Sequence, residues 1–215
     1  MLKSENHSTV KRFNGESRLL KRLLEMMIAA MGLFLLSPLL VLVAVLIRID
    51  SRGPVFFRQE RVGQGFRPFL ILKFRTMMPD AHRFGRQITA GADPRITKIG
   101  KVLRRSKIDE LPQLLNVLKG DMSFVGPRPE VSRYVELYRQ DFKEILQVRP
   151  GITDLASIKY RDEAELLGSA EDPEREYIER ILPDKLRLAK EYVRRSSLWF
   201  DFSVIFKTLI LMVRD

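Results

Sequence analysis

The chain has no cysteine. That excludes a disulfide framework, a thiolate nucleophile and a zinc-thiolate site. Histidine is almost as scarce, with only His7 and His82. His7 sits in a polar tail and His82 in a loop-like stretch, so neither a histidine metal cluster nor a Ser-His-Asp triad is expected. Gly63-Gln64-Gly65 leads into no Gly-Lys-Ser/Thr, so there is no P-loop. Helix-turn-helix, RNP and zinc-finger patterns are missing, and nucleic acid is not an expected partner. No internal repeat is visible. Hydrolytic or transfer chemistry in such a chain must rest on carboxylates.

One long stretch lacks charge altogether. Met26 to Ile47 is an apolar run of 22 residues. As a straight helix it would rise roughly 33 Å, about one hydrocarbon core. It is too long for a usual signal-peptide core, and no small-x-small cleavage site accompanies it. Ser37-Pro38 stands at its centre. Pro38 has no N–H for the Phe34 carbonyl, and Ser37 can satisfy part of the freed backbone. Each half then covers roughly 15 Å, half a bilayer. Lys11, Arg12, Arg18, Lys21 and Arg22 precede the run, and Arg48, Arg52, Arg58 and Arg61 follow it. Cations at both ends give the positive-inside rule nothing to choose between. Hydropathy leaves two readings open: a Pro-kinked spanning helix, and a helix–break–helix that enters and leaves by one face.

The 215 residues suffice for one domain plus an anchor, and the net charge is +11. Between Arg48 and Lys107, 15 lysines and arginines face 4 acidic residues, whereas Asp162 to Glu179 is acidic. A basic segment beside an apolar anchor suits lipid headgroups or phosphorylated ligands. It also suits a solvated face that only orients the anchor.

The remaining pattern is that of an α-rich α+β chain. Residues 1–17 read as a mobile polar tail, 18–49 as the anchor broken at Ser37-Pro38, and 50–215 as the main domain. Val55–Gln59 and Phe69–Phe74 are expected strands of a short hairpin turning at Gly63-Gln64-Gly65. Met77 to Pro94 reads as an irregular loop with room for a short helix. Ile99, Val102 and Leu103 share a helical face. A second helix is expected to start near Asp109, with Ser106 able to cap it, and to end at Lys119-Gly120. Phe124 to Glu130 is expected to be loop, and Val131–Leu146 a helix. Arg149-Pro150-Gly151 reads as a turn. Leu198–Val213, with Trp199 and several Phe interrupted by Asp201, Ser203 and Lys207, reads either as an interfacial amphipathic helix or as a core helix.

Asp109-Glu110 is the acidic pair that falls at an expected helix start just after a basic segment. A helix start suits phosphate and keeps a carboxylate ionised, as a carboxylate nucleophile requires. A second carboxylate beside it can hold Mg²⁺. Plain helix capping by acidic residues explains the same pair. Among the cations, Arg128 is flanked by Pro127 and Pro129, which stiffen it for bidentate phosphate binding. Lys73, Arg75, Arg149 and Arg161 read equally well as surface charges.

Several ordered segments carry a resemblance. They are Lys73-Phe74-Arg75-Thr76-Met77, Thr97-Lys98-Ile99-Gly100, Leu103-Arg104-Arg105, Asp109-Glu110-Leu111-Pro112-Gln113-Leu114 and Asn116-Val117-Leu118. Gly120-Asp121-Met122-Ser123, Val125-Gly126-Pro127-Arg128-Pro129 and Arg149-Pro150-Gly151-Ile152-Thr153 complete the set. With the Ser-Pro-broken anchor, they resemble the bacterial sugar transferases, the monotopic polyprenyl-phosphate phosphoglycosyl transferases, in a minimal form of anchor plus catalytic domain. The resemblance implies transfer of a sugar-1-phosphate from a UDP-sugar to undecaprenyl phosphate, with UMP leaving. It implies Asp109 as nucleophile, Glu110 as Mg²⁺ ligand, and Lys73, Arg75, Arg105, Arg128 and Arg161 as phosphate-holding cations. It also implies a re-entrant anchor, interfacial helices against membrane lipids, and a catalytic domain on the cytoplasmic face of the bacterial inner membrane. The pattern departs from many relatives at Asp154, where they carry Gly, and at Tyr160, where they carry the Gly before Arg161. A non-catalytic module that binds anionic lipid or a partner through the basic face is the alternative expectation.

Overall fold

The computed structural model describes residues 15–79, 81, 89–91 and 93–213. His7, His82 and most of the expected tail lie outside the described residues. The chain is mainly helical. Its first helix, α1, runs Gly15–Asp50, so helix already occupies the end of the expected tail. By length and composition it could cross a membrane. It continues through Pro38 rather than dividing in two. The local chemistry is as expected: Ser37 Oγ donates to the Phe34 carbonyl at 2.7 Å, the acceptor that Pro38 leaves open.

Strands β1 (Phe56–Val62) and β2 (Pro68–Phe74) form the hairpin, longer than its apolar residues suggest. Register runs from Phe56 opposite Phe74 to Val62 opposite Pro68. A 3-10 turn at Gln64–Phe66 joins them. Helix α2 is Lys98–Arg105, capped by Thr97, whose Oγ1 accepts from the Gly100 amide. Ser106 closes this helix instead of opening the next, with its hydroxyl on the Val102 carbonyl. A 3-10 turn at Ile108–Glu110 then leads to α3 (Gln113–Lys119), which ends at Gly120 with φ of 98°.

The start of the loop expected over Phe124–Glu130 falls in a strand. β3 (Ser123–Val125) pairs in parallel with β4 (Gly151–Thr153). Between them the expected single helix is two, α4 (Ser132–Leu137) and α5 (Arg139–Ile145), separated at Tyr138. The chain continues through α6 (Leu155–Lys159), α7 (Glu163–Gly168), α8 (Pro173–Glu176), α9 (Leu182–Arg195) and α10 (Leu198–Val213).

The anchor is not a separate unit. Ala29, fully buried, packs with Ile71, Val117 and Met122. Ile47, 2% exposed, packs with Val43, Phe74 and Leu103. Those two positions are roughly 27 Å apart along the helix axis. Between Ala29 and Val43 no residue of the helix is buried, and Phe34 is 78% exposed. A second core joins Tyr134, Val135, Phe142 and Ile145 to Ile181, Leu182 and Leu186. A third packs Val125, Tyr192 and Val204 together. Helix α10 buries Asp201 and Val204 and leaves Trp199 86% exposed, with Phe202 and Phe206 exposed beside it.

Candidate active site

Asp109 and Glu110 stand on the 3-10 turn between α2 and α3. The reversal into it passes through Lys107, whose φ is +56°. A left-handed non-glycine residue costs about 1–2 kcal/mol, which the surrounding packing must offset. The turn is three residues long, so no long helix dipole stands behind the pair.

Glu110 is held by two cations. Lys73 Nζ reaches its Oε1 at 2.8 Å from β2. Arg128 reaches the same oxygen through Nη2 and makes a longer contact of 3.4 Å from Nη1 to Oε2. Burial pushes the Glu110 carboxyl up, but Arg128 and Lys73 outweigh it and hold it well below the ordinary carboxylate range. The Glu110 carboxylate in turn raises Arg128. Burial lowers Lys73, and Glu110 opposes the shift.

Asp109 has the opposite surroundings. It is buried, and its Oδ1 has no hydrogen-bond partner among the described residues. Burial pushes its carboxyl up; Lys73, Arg104 and Lys107 oppose that, and Glu110 adds to it. Lys73, Arg104 and Lys107 supply a field of the expected sign, and burial outweighs it, so the carboxyl stands above its ordinary value. A buried acceptor without a partner costs about 1–3 kcal/mol.

The loop carrying Arg128 is pinned between the strands. Gly151 N donates to Pro127 O at 3.1 Å, and Gly126 N to Thr153 O at 3.1 Å. A Cβ on Gly151 would lie 2.1 Å from Gly126 N, so only glycine allows this approach. Arg61 donates to Pro129 O at 3.1 Å. Asp154 accepts from the Arg128 amide at 3.1 Å. On the other side, Asn116 takes the free edge of β2 as a third strand would. Its carboxamide accepts from Leu72 N at 3.0 Å and donates to Leu70 O at 2.8 Å. That fixes β2, and Lys73 with it, over α3.

The structure gathers Lys73, Asp109, Glu110 and Arg128. It puts the other three expected cations to different use. Arg75 is buried and donates to Ser51 O, Ser51 Oγ and Arg52 O, clamping the exit of α1. Arg105 is exposed, and its neighbour Arg104 acts on Asp109 instead. Arg104 donates to Thr76 Oγ1 at 2.8 Å and Thr89 Oγ1 at 3.3 Å. Helical phase held the clue: Arg104 follows buried Gly100 by four residues, and Arg105 is turned about 100° away. Arg161 donates to Leu211 O near the end of α10. Among the described residues no group of three or more His, Cys, Asp or Glu could hold a metal by protein ligands alone. Mg²⁺ commonly takes one or two carboxylates plus substrate phosphates, and the acidic pair supplies that number. Glu110 Oε2, with its one long contact, is the open atom.

Residues 16–215 match the bacterial sugar transferase model. An N-acetylgalactosaminephosphotransferase of Aeromonas hydrophila that uses UDP-N-acetylgalactosamine and undecaprenyl phosphate is 39% identical over 88% of this chain and 43% of its own length. The UDP-glucose:undecaprenyl-phosphate glucose-1-phosphate transferase of Escherichia coli K12 is 39% identical over 91% of this chain and 40% of its own. The enzyme of the same name from Caulobacter vibrioides is 39% identical over 88% of this chain and 68% of its own. The chain thus spans less than half the length of the first two. With the acidic pair, the Arg128 loop and a match along nearly the whole chain, this protein belongs to the bacterial sugar transferase family.

Proposed function

We propose that the protein transfers a sugar-1-phosphate from a UDP-sugar to undecaprenyl phosphate. The observation that carries this reading is the buried Oδ1 of Asp109, without a hydrogen-bond partner among the described residues, beside the Lys73–Glu110–Arg128 cluster. In the first half-reaction that oxygen bonds to the sugar-side phosphorus, the phosphoanhydride bond breaks, and UMP leaves with the electron pair. In the second, the acceptor phosphate attacks the same phosphorus and the Asp109–phosphorus bond breaks. Asp109 returns as a carboxylate and polyprenyl-diphospho-sugar is released. Arg128 and Lys73 hold donor phosphate oxygens, and their shared tie to Glu110 keeps both aimed at the reacting centre. Arg104 offsets part of the desolvation of Asp109. Mg²⁺, held by Glu110 with the donor phosphates, would neutralise diphosphate charge.

The reading places the chain on the inner membrane, with the domain on the cytoplasmic face. Support for a re-entrant α1 comes from its two ends, which are tied to the same domain. Near one end Lys21 pairs with Asp201 at 2.6 Å and Arg22 donates to Leu118 O at 3.1 Å. At the other, Ile99 N donates to Asp50 Oδ2 at 3.2 Å. A helix standing straight across a bilayer would drag charged α2 or the Lys21–Asp201 pair into hydrocarbon. The exposed middle of α1 then faces lipid, and Trp199, Phe202 and Phe206 of α10 lie at the interface.

The deciding experiment supplies UDP-sugars, Mg²⁺ and undecaprenyl phosphate and measures UMP. Release with one donor, stopped by EDTA and restored by Mg²⁺, is the expected result. Folded protein that releases no UMP with any common UDP-sugar, yet binds anionic vesicles, returns the non-catalytic module. Topology is read separately. The chain has no native cysteine, so Ser17→Cys and Arg52→Cys give single labels on either side of the apolar run. Both should be shielded in intact cells. Labelling on opposite faces restores the spanning helix.

A further inference from the structure

Asp154 is 3% exposed, yet it lies outside the charged cluster. Its two carboxylate oxygens do two different things. Oδ1 accepts from Ser157 N at 2.6 Å and caps α6. Oδ2 accepts from Arg128 N at 3.1 Å, across 26 residues of sequence. The first bond is ordinary helix capping, which a serine would perform equally well. The second needs the other oxygen of a carboxylate.

The Arg128 amide is a singular donor. Pro127 and Pro129 have no N–H, so it is the one backbone donor in three residues. The other two backbone holds on this stretch are carbonyls, Pro127 O and Pro129 O, taken by Gly151 N and Arg61. Pro127 O and the Arg128 N–H are opposite edges of one planar peptide: Gly151 N holds the first and Asp154 Oδ2 the second, so without Asp154 that peptide can rock about its one remaining bond. A long side chain carries any such pivot out to the guanidinium, and a misplacement of about 1 Å at a reacting centre can cost roughly a hundredfold in rate. The Asp154 charge also favours the Arg128 cation.

We propose that Asp154 is a positioning residue: its Oδ2 fixes the Arg128 backbone so that the guanidinium meets Glu110 and the donor phosphate. The assignment of Arg128 to the phosphate rests on the function proposed above; the hold of Asp154 on the amide does not.

Asp154→Ser separates the two bonds, since serine keeps the cap and lacks the second oxygen. The variant should melt within about 2 °C of wild type. Its kcat/KM for the UDP-sugar should fall roughly 10- to 100-fold. In hydrogen exchange, peptides spanning residues 126–130 should show the Arg128 amide exchanging at least about tenfold faster than in wild type. Unchanged kcat/KM with an equally protected amide overturns the proposal. So does a loss of activity that merely follows a lowered melting temperature with the amide still protected. If the wild-type protein releases no UMP, the functional reading fails, and the exchange experiment still decides the role of Asp154. If Asp154→Ser does not fold, the wild-type amide alone decides: slow exchange upholds the hold, and free exchange overturns it.

Discussion

The site has two halves that treat adjacent carboxylates in opposite ways. On the β2 and Arg128-loop side, Glu110 meets two cations, and its charge is stabilised despite burial. On the α2 side, Asp109 is buried with one oxygen unpartnered among the described residues, and its charge is destabilised. One residue of sequence separates them. Glu110 has Oε1 on both cations and Oε2 on one long contact, so its charge is held in place while one oxygen stays open. The desolvated carboxylate is the one to which the proposed mechanism gives the attack. The difference comes from which elements surround each carboxylate, since both are simple acids in one motif.

The comparison can be broken at several points. Asp109→Asn removes the unpaired half. UMP release should fall by about ten-thousandfold or more, as for loss of a nucleophile, with circular dichroism unchanged. Arg128→Ala opens the paired half, leaving Glu110 with Lys73 alone. A loss of about 10²- to 10³-fold is expected, in line with removing one electrostatic donor at a reacting centre. Arg128→Lys should recover only part of it, because an ammonium cannot form the two-pronged contact. Arg104→Ala acts on the unpaired half from outside and should cost about tenfold, whereas Arg105→Ala should stay within about twofold. Equal effects at 104 and 105 would remove the assignment of Arg104 to Asp109.

The smallest effect is a pH shift, and its sign follows from burial. A raised value for Asp109 means the folded protein binds its proton more tightly than an ordinary aspartate. The attacking carboxylate is therefore lost, as pH falls, at a point above the ordinary aspartate range. Lys73→Met removes a cation that opposes this and should move the acid limb of UMP release higher. Glu110 runs the other way. Its pairing stabilises the fold above the ordinary glutamate value, and that contribution is lost as pH falls toward the depressed one. An acid limb that moves lower in Lys73→Met would contradict the division into halves.

Much of this was legible along the chain. The hairpin, the helix over Lys98–Arg105 and the glycine stop at Gly120 are local matters of periodicity and turn residues. So is the Ser37 bond to Phe34 O, which follows from the N–H that Pro38 lacks. Other features were not legible. β3 and β4 are three residues each, set among prolines and glycines, and they exist only because each finds the other. Tyr138, at φ −120° and ψ 36°, divides an expected single helix, and its hydroxyl reaches Ile178 O, a tertiary contact. Arg75 and Arg105 fit a cationic motif, yet Arg75 ties to Ser51 and Arg52 and Arg105 is exposed on α2, because a motif records spacing rather than direction. Asp154 looked like a departure in need of explanation, and its bond partner lies 26 residues upstream.

By itself the sequence determined the chemical vocabulary. Without cysteine and with two histidines, the chain had to use carboxylates and cations, and the uncharged run had to leave water. Tertiary structure decided which carboxylate is paired with cations and which is desolvated, and which arginines reach them. It also decided that both ends of the apolar helix hold the same domain. Each of those outcomes depends on burial and on partners distant in sequence, and desolvation and charge pairing act through space rather than along the chain.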